Sequence, residues 1–193
     1  MRHKGTKRLE TDRLILRKFQ LSDAESMYRN WASDPEVTKY LTWPPHGNVN
    51  VSSHVLEDWI GQYENDAFYQ WAIVFKENGA EPIGSISIVK MDERIAMVHV
   101  GYCLGKRWWN KGVTSEALSE LIRFFFEEVH VNRVESIHDP RNPNSGKVMR
   151  KCDLVLEGTV KMGYWNNQGI CNYSMYGLVA EDYCQGGGRY SLK

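Results

Sequence analysis

The chain has 193 residues, with 24 Lys and Arg against 24 Asp and Glu, so its formal net charge is zero. It is 42% hydrophobic and 25% charged, which excludes a collagenous or disordered chain. A neutral balance argues against a dedicated nucleic-acid binder. No apolar run approaches the roughly 20 residues that span a bilayer, so no membrane partner is expected.

The length suits one domain, over residues 1–185, followed by a loose tail over 186–193 that begins at Gly186-Gly187-Gly188. Residues 1–8 are basic without the apolar stretch of a signal peptide, so the expected compartment is the cytoplasm. Cys103, Cys152, Cys171 and Cys184 are scattered, which suggests neither a disulfide framework nor a metal site. The zero net charge hides a pattern. Residues 1–20 hold seven basic and two acidic groups, residues 21–66 two and eight, and residues 106–151 nine and six.

Residues 9–19 read as an extended segment, with Leu14, Leu16 and Arg17 in a β-rich run after the Thr11-Asp12 turn signal. Ser22 is the expected N-cap of a first helix, with Glu25 completing a capping box and Asp34-Pro35 ending it. Trp43-Pro44-Pro45-His46-Gly47-Asn48 reads as a loop. Ser52 or Ser53 is the expected cap of a second helix carrying Val55, Leu56, Trp59, Ile60 and Tyr63. Strands follow over 69–76, 83–90 and 95–104, the first two joined at Asn78-Gly79. The period then changes. Ala117, Leu118, Leu121, Ile122 and Phe125 recur at three and four, which predicts a helix over 112–129. A strand over 131–138, a helix from Pro143 or Asn144 to about 153, and strands over 154–164 and 170–179 complete the order. The sum is an α+β domain with a mixed sheet.

The strand ending at Leu104 leads through Gly105 to Gly112 into the strongest helix. A strand, a glycine-containing loop and a helix start make an anion site, because the first-turn N–H groups are unpaired and the helix dipole favours negative charge. Lys106, Arg107 and Lys111 add positive charge. A plain turn with a solvated basic loop is the alternative. The loop matches neither the dinucleotide fingerprint nor the Walker pattern.

Trp109-Asn110-Lys111-Gly112-Val113-Thr114 resembles the (Arg/Gln)-x-x-Gly-x-(Gly/Ala) motif of the GNAT N-acetyltransferase superfamily. Its surroundings resemble the RimJ/RimL-type branch, as do residues 9–17, the segment 41–46 and the Asn-x-x-Ser run at Asn142 to Ser145. Trp109 and Thr114 replace the superfamily's Arg/Gln and Gly/Ala, and Asp153 stands where the branch usually has glycine. Asp tolerates the left-handed conformation expected there better than most residues, at a modest stability cost.

The resemblance implies the GNAT fold, a mixed, mostly antiparallel sheet with a splayed parallel strand pair and flanking helices. It also implies an acetyl-CoA-dependent N-acetyltransferase acting on a primary amine, with a protein or peptide N-terminus as first choice. A small cationic amine (a polyamine or aminoglycoside) and a catalytically silent acyl-CoA-binding module are the rivals. Acetyl-CoA is the implied co-substrate. By the same carry-over, Tyr102, Cys103 and Leu104 would meet its pantetheine amides, Lys111, Gly112, Val113, Thr114 and Ser115 its pyrophosphate, Asn142 the pantetheine arm, and Ser145 the sulfur. Arg141, Lys147, Arg150 and Lys151 are candidates for the 3′-phosphate or for a solvated helix face.

His99 is the candidate base, because an imidazole titrates near working pH; the alternative is a strand histidine satisfied by a neighbour. Ser145 and Tyr176 are candidate donors to the thiolate, against a capping role and a core role. Trp43, His46 and Trp71 are candidate acceptor-site residues, Trp71 also being a candidate core residue. The acidic stretch 21–66, with Asp34, Glu36, Glu57, Asp58, Glu64 and Asp66, either attracts a cationic acceptor or simply faces water. Monomer and homodimer are both open, with Trp108 a candidate for an exposed dimer face.

Overall fold

The computed structural model describes residues 1–77 and 79–185. Its strands are β1 (Leu9–Glu10), β2 (Leu14–Arg17), β3 (Gln70–Phe75), β4 (Pro82–Asp92), β5 (Met97–Leu104), β6 (Arg133–His138), β7 (Val155–Asn166) and β8 (Gly169–Val179). They form one sheet in the order β1-β2-β3-β4-β5-β6-β8-β7. Each neighbouring pair is antiparallel except β5–β6, which is parallel. This is the expected mixed α+β architecture.

Both faces of the sheet are covered. On one lie α1 (Ala24–Met27), α2 (Pro35–Thr38) and α3 (Val49–Gln62); on the other lie α4 (Val113–Phe124) and α5 (Pro143–Lys151). The first face buries Met27, Trp31 and Leu56 against Ala72, Val74 and Cys103. The second buries Leu118, Leu121, Ile122 and Phe125 against Ile73, Val98 and Val100. Full burial of each large apolar side chain contributes roughly 1.5–3 kcal/mol. The 3.6-residue pattern of α4 therefore sets both its position and most of its stability.

Several boundaries differ from the sequence expectation. The run 9–19 is broken into a hairpin, because the Thr11 amide donates to the Leu14 carbonyl and turns the chain there. Ser22 and Glu25 do not cap the first helix. The Asp23 carboxylate instead receives the Gln20 amide at 2.8 Å, one turn earlier. That helix widens into a π-turn over Tyr28–Ala32, and Asp34 then caps α2 rather than only ending its predecessor. Asn48, not Ser52 or Ser53, caps α3 through the Asn50 amide. The strong helix ends at Phe124 and continues as a π-turn to Val129, where His130 has φ 59°. A short α6 (Ala180–Gln185) follows β8 without a sequence signal. Asn78 of the predicted turn and the tail at Gly186–Gly188 lie outside the described residues; Gly79 has φ 74°. Asp153 adopts φ 60°, the left-handed conformation expected of it.

Candidate active site

The parallel pairing of β5 with β6 covers Met97 to His99 against Arg133 to Glu135 and then stops. Val89 bulges out of β4 opposite this point, between Ile88, which faces Val100, and Lys90, which faces His99. Ser136 Oγ donates to the Val100 carbonyl at 2.8 Å, which closes the ladder with a side chain. Beyond it the β6-facing edge of residues 100–104 has no strand partner among the described residues. A cleft of about 1110 Å³ opens between the diverging strands. Its walls include His99, Tyr102, Cys103, Leu104 and the start of α4.

The α4 end of the cleft is a first turn without an internal cap. Gly112 holds φ 74°, which a residue with a Cβ adopts at a cost of roughly 1–2 kcal/mol. The first helical bond runs from the Glu116 amide to the Gly112 carbonyl at 3.0 Å. The amides of Val113, Thr114 and Ser115 therefore have no protein acceptor among the described residues, and these three residues line the cleft. Three converging donors at the positive end of a helix suit a phosphate group. Lys111 does not line the cleft; its carbonyl accepts from Arg13 at 3.2 Å. Arg13 also binds Glu116 at 2.7 Å, and Glu116 receives the Thr11 hydroxyl at 2.5 Å. The β1–β2 turn thus braces the loop. Sequence reasoning missed this brace, because its partners lie about a hundred positions apart.

Lys106, Arg107 and Lys111 do not form one basic cluster. Lys106 pairs with Glu36, and Arg107 lies over the Trp108 ring at 5.7 Å. Trp108 is not an exposed dimer aromatic, since it packs against the core and lines the cleft.

On the other side of the cleft, Asn142 Nδ2 donates to Ser145 Oγ at 3.0 Å, and both residues line the cleft. Tyr102 donates its hydroxyl to the Ser145 carbonyl at 3.0 Å, and burial pushes its pKa far up, so it is wall rather than acid. Burial also pushes the Cys103 thiol up to about 12, which leaves it inert. Lys147 and Lys151 border the cleft, whereas Arg150 turns away to the Tyr176 hydroxyl at 2.7 Å. Tyr176 is 2% exposed and does not line the cleft; it belongs to the core. Asp139, in the turn before α5, receives Arg141 and the Asn166 amide at 2.9 Å. Burial would raise its carboxyl, but these hydrogen bonds hold it at about 2.

His99 projects to the α1–α3 side. Its Nδ1 lies 3.1 Å from Glu135 Oε1. A carboxylate accepts there, so Nδ1 carries the proton and Nε2 presents its lone pair toward the cleft that His99 lines, without a partner among the described residues. Burial lowers the His99 pKa, and the Glu135 hydrogen bond opposes that shift. Glu135 is a further residue that sequence reasoning missed.

Trp43 and His46 line the same side, their rings 5.4 Å apart. His46 Nδ1 is hydrogen-bonded to Ser52 at 2.8 Å, and burial lowers its pKa. Asn167, in the β7–β8 turn, donates to the Thr38 and Trp43 carbonyls at 2.8 and 2.7 Å and ties down this loop. Trp71 is fully buried, stacked on Tyr69 at 5.8 Å, and does not reach the cleft. Of the acidic candidates, Glu36 alone lines the cleft, and it is the one paired with Lys106.

Comparisons with known proteins bear on the family and the fold. The model of the Acetyltransferase (GNAT) domain family matches residues 13–155. The chain is 32% identical over 181 residues to the uncharacterized N-acetyltransferase p20 of Bacillus licheniformis, covering 91% of this chain and 97% of that one. It is 26% identical to the [Ribosomal protein uS5]-alanine N-acetyltransferase of Escherichia coli (strain K12), covering 80% and 81%. The fold matches that of the Microcin C7 self immunity acetyltransferase MccE in complex with acetyl-CoA and AMP, with a TM-score of 0.78, 22% identity and coverage of 88% and 93%. The chain belongs to the GNAT family of N-acetyltransferases, with ribosomal-protein acetyltransferases of the RimJ/RimL type among its relatives.

Proposed function

We propose that the chain moves an acetyl group from acetyl-CoA to the α-amine of a protein or peptide, by direct attack within a ternary complex. The carrying observation is one cleft with three helix amides at one end and the Nε2 of His99 on its acceptor side, none of them with a partner among the described residues. When bound, acetyl-CoA supplies the activated acyl group as a thioester. The amides of Val113, Thr114 and Ser115 would hold its pyrophosphate, with Lys147 and Lys151 adding positive charge. Asn142 would bond the pantetheine arm and orient the Ser145 hydroxyl, which would donate to the departing thiolate. His99 Nε2 would accept the proton that the amine sheds.

Acceptor chemistry follows from how weak that base is. An α-amine titrates near ~8, so its neutral form costs about 1.4 kcal/mol at pH 7, against about 4.6 for an amine near ~10.4. A histidine whose pKa is lowered by burial matches the first task and not the second. The cleft also offers a polyamine little attraction, since Glu36 is already paired with Lys106. The relative that acetylates the alanine of a ribosomal protein supports the same class.

The test is thiol release from acetyl-CoA with three amines: a free-N-terminal peptide, the same peptide blocked at its N-terminus but carrying lysine, and spermidine. Preference for the first is expected. Release that no amine accelerates would leave the silent-module reading in place.

A further inference from the structure

His99 is the visible end of a longer chain of charges. Glu135 Oε2, the oxygen not used by His99, receives Arg133 Nε at 2.9 Å. The two terminal nitrogens of Arg133 reach Glu157 on β7 at 2.6 and 2.5 Å, a bidentate grip. In the sheet order, however, β8 lies between β6 and β7. The guanidinium must therefore cross a strand. It crosses at Gly177, which pairs with Glu135 on one side and Val155 on the other. A Cβ at Gly177 would stand 2.5 Å from Glu157 Oε1 and 2.6 Å from both terminal nitrogens of Arg133. Glu157 is itself the extra residue of a β-bulge, between Leu156, which faces Tyr176, and Gly158, which faces Met175. A bulge re-aims a side chain, here back across the sheet.

A missing side chain on one strand and an inserted residue on the next thus serve a single ion-pair chain that ends on a cleft histidine. Stability alone is a poor reason for it, because desolvating partly buried charges offsets most of their attraction.

We propose that Glu135, Arg133 and Glu157 form a positioning relay for His99, threaded through the opening at Gly177. Glu135 fixes the ring with Nε2 toward the cleft. Arg133 shares the Glu135 carboxylate and limits how far that carboxylate favours the charged ring. Glu157 holds Arg133 in place. The charged groups acting on His99 are Glu135 and Arg133 from β6 and Lys90 from β4. The proposal rests on the reading of His99 as the base, and the experiment separates the two.

The relay predicts opposite effects from its two central members. Arg133→Met removes a cation and frees the carboxylate, so His99 should protonate more readily. Glu135→Gln removes the anion, so His99 should protonate less readily. The His99 ring-proton NMR titration should move up in the first and down in the second, by about half a pH unit or more. The acidic limb of the rate profile should move with it. Gly177→Ala, whose Cβ displaces Arg133, should shift in the Arg133→Met direction and covers the case in which that variant does not fold. An unmoved titration in the folded variants, or one moving the same way in both, overturns the relay. A titration that moves as expected while the rate profile stays still upholds the relay and removes His99 from the reaction.

Discussion

Replacing Gly112 by Asn and by Asp separates charge from conformation at the unpaired amides of α4. Both side chains tolerate the left-handed φ of 74° better than other non-glycine residues, and they are nearly isosteric. A Cβ at Gly112 meets nothing closer than Arg13 Nη2 at 3.6 Å, so neither variant is excluded by packing. Each should lose about 1 kcal/mol of stability to backbone strain, or roughly 2–4 °C in Tm for a chain of this size. The difference between them is one negative charge beside the proposed pyrophosphate site. Two unit charges about 6 Å apart repel by about 2.8 kcal/mol at an effective dielectric of ~20. Salt screening at this exposed loop reduces that to roughly 1–2 kcal/mol. The existing grip of Arg13 on Glu116 and the Lys111 carbonyl leaves it little capacity to neutralise a new carboxylate. Calorimetric titration with acetyl-CoA should show the Asp variant binding about five- to thirty-fold more weakly than the Asn variant, with the gap closing at high salt. Equal affinities for Asn and Asp would refute the anion-site assignment.

Asp153→Gly should raise stability by about 0.5–1 kcal/mol, read as an increased Tm, because glycine takes φ 60° without strain. Asn167→Ala deletes two side-chain hydrogen bonds to the Thr38 and Trp43 carbonyls, costing about 1–2 kcal/mol. It should raise the acceptor KM while leaving acetyl-CoA affinity unchanged, since the loop lies on the proposed acceptor side. His46 and His99 are both held below the usual histidine pKa by burial, so the unfolded chain binds more protons. Their share of stability is complete above pH ~6.5 and is lost as pH falls through the depressed folded values. Thermal melts at pH 7.5 and 5.5 should show that loss, and His46→Gln should reduce it.

Elements dominated by local periodicity were legible in the sequence. The apolar stripe of α4 has its own period, so its position and buried face follow from residues 113–125 alone. Caps were less legible, because several residues compete for each. Ser52 has the chemistry to start α3, yet it bonds His46, while Asn48, which does cap the helix, sits at the end of a proline-rich loop. The motif residues Gly112, Asn142 and Ser145 line one cleft. Tyr176 and Trp71 do not, and the reason is general for this fold. A strand's alternation says which residues share a face, but here both faces are buried, so alternation cannot say which one opens on the cleft. Glu135, Arg133 and Arg13 were invisible for a related reason. Their partners are set by register across the sheet or by contacts about a hundred residues apart, and no local pattern records either.

The brace from Arg13 and Thr11 to Glu116 has a consequence for how the molecule is assembled. The loop and helix start at 105–115 are local in sequence, but their support is not, because the chain's first hairpin must return across about a hundred intervening residues to reach them. Closing so long a loop costs conformational entropy before any contact is gained. The proposed phosphate-binding turn therefore depends for its support on a long-range closure of the chain. Any anion that prefers the braced turn stabilises closure of the whole sheet by mass action. The donor substrate would thus act on this chain as a stabilising ligand as well as a reactant.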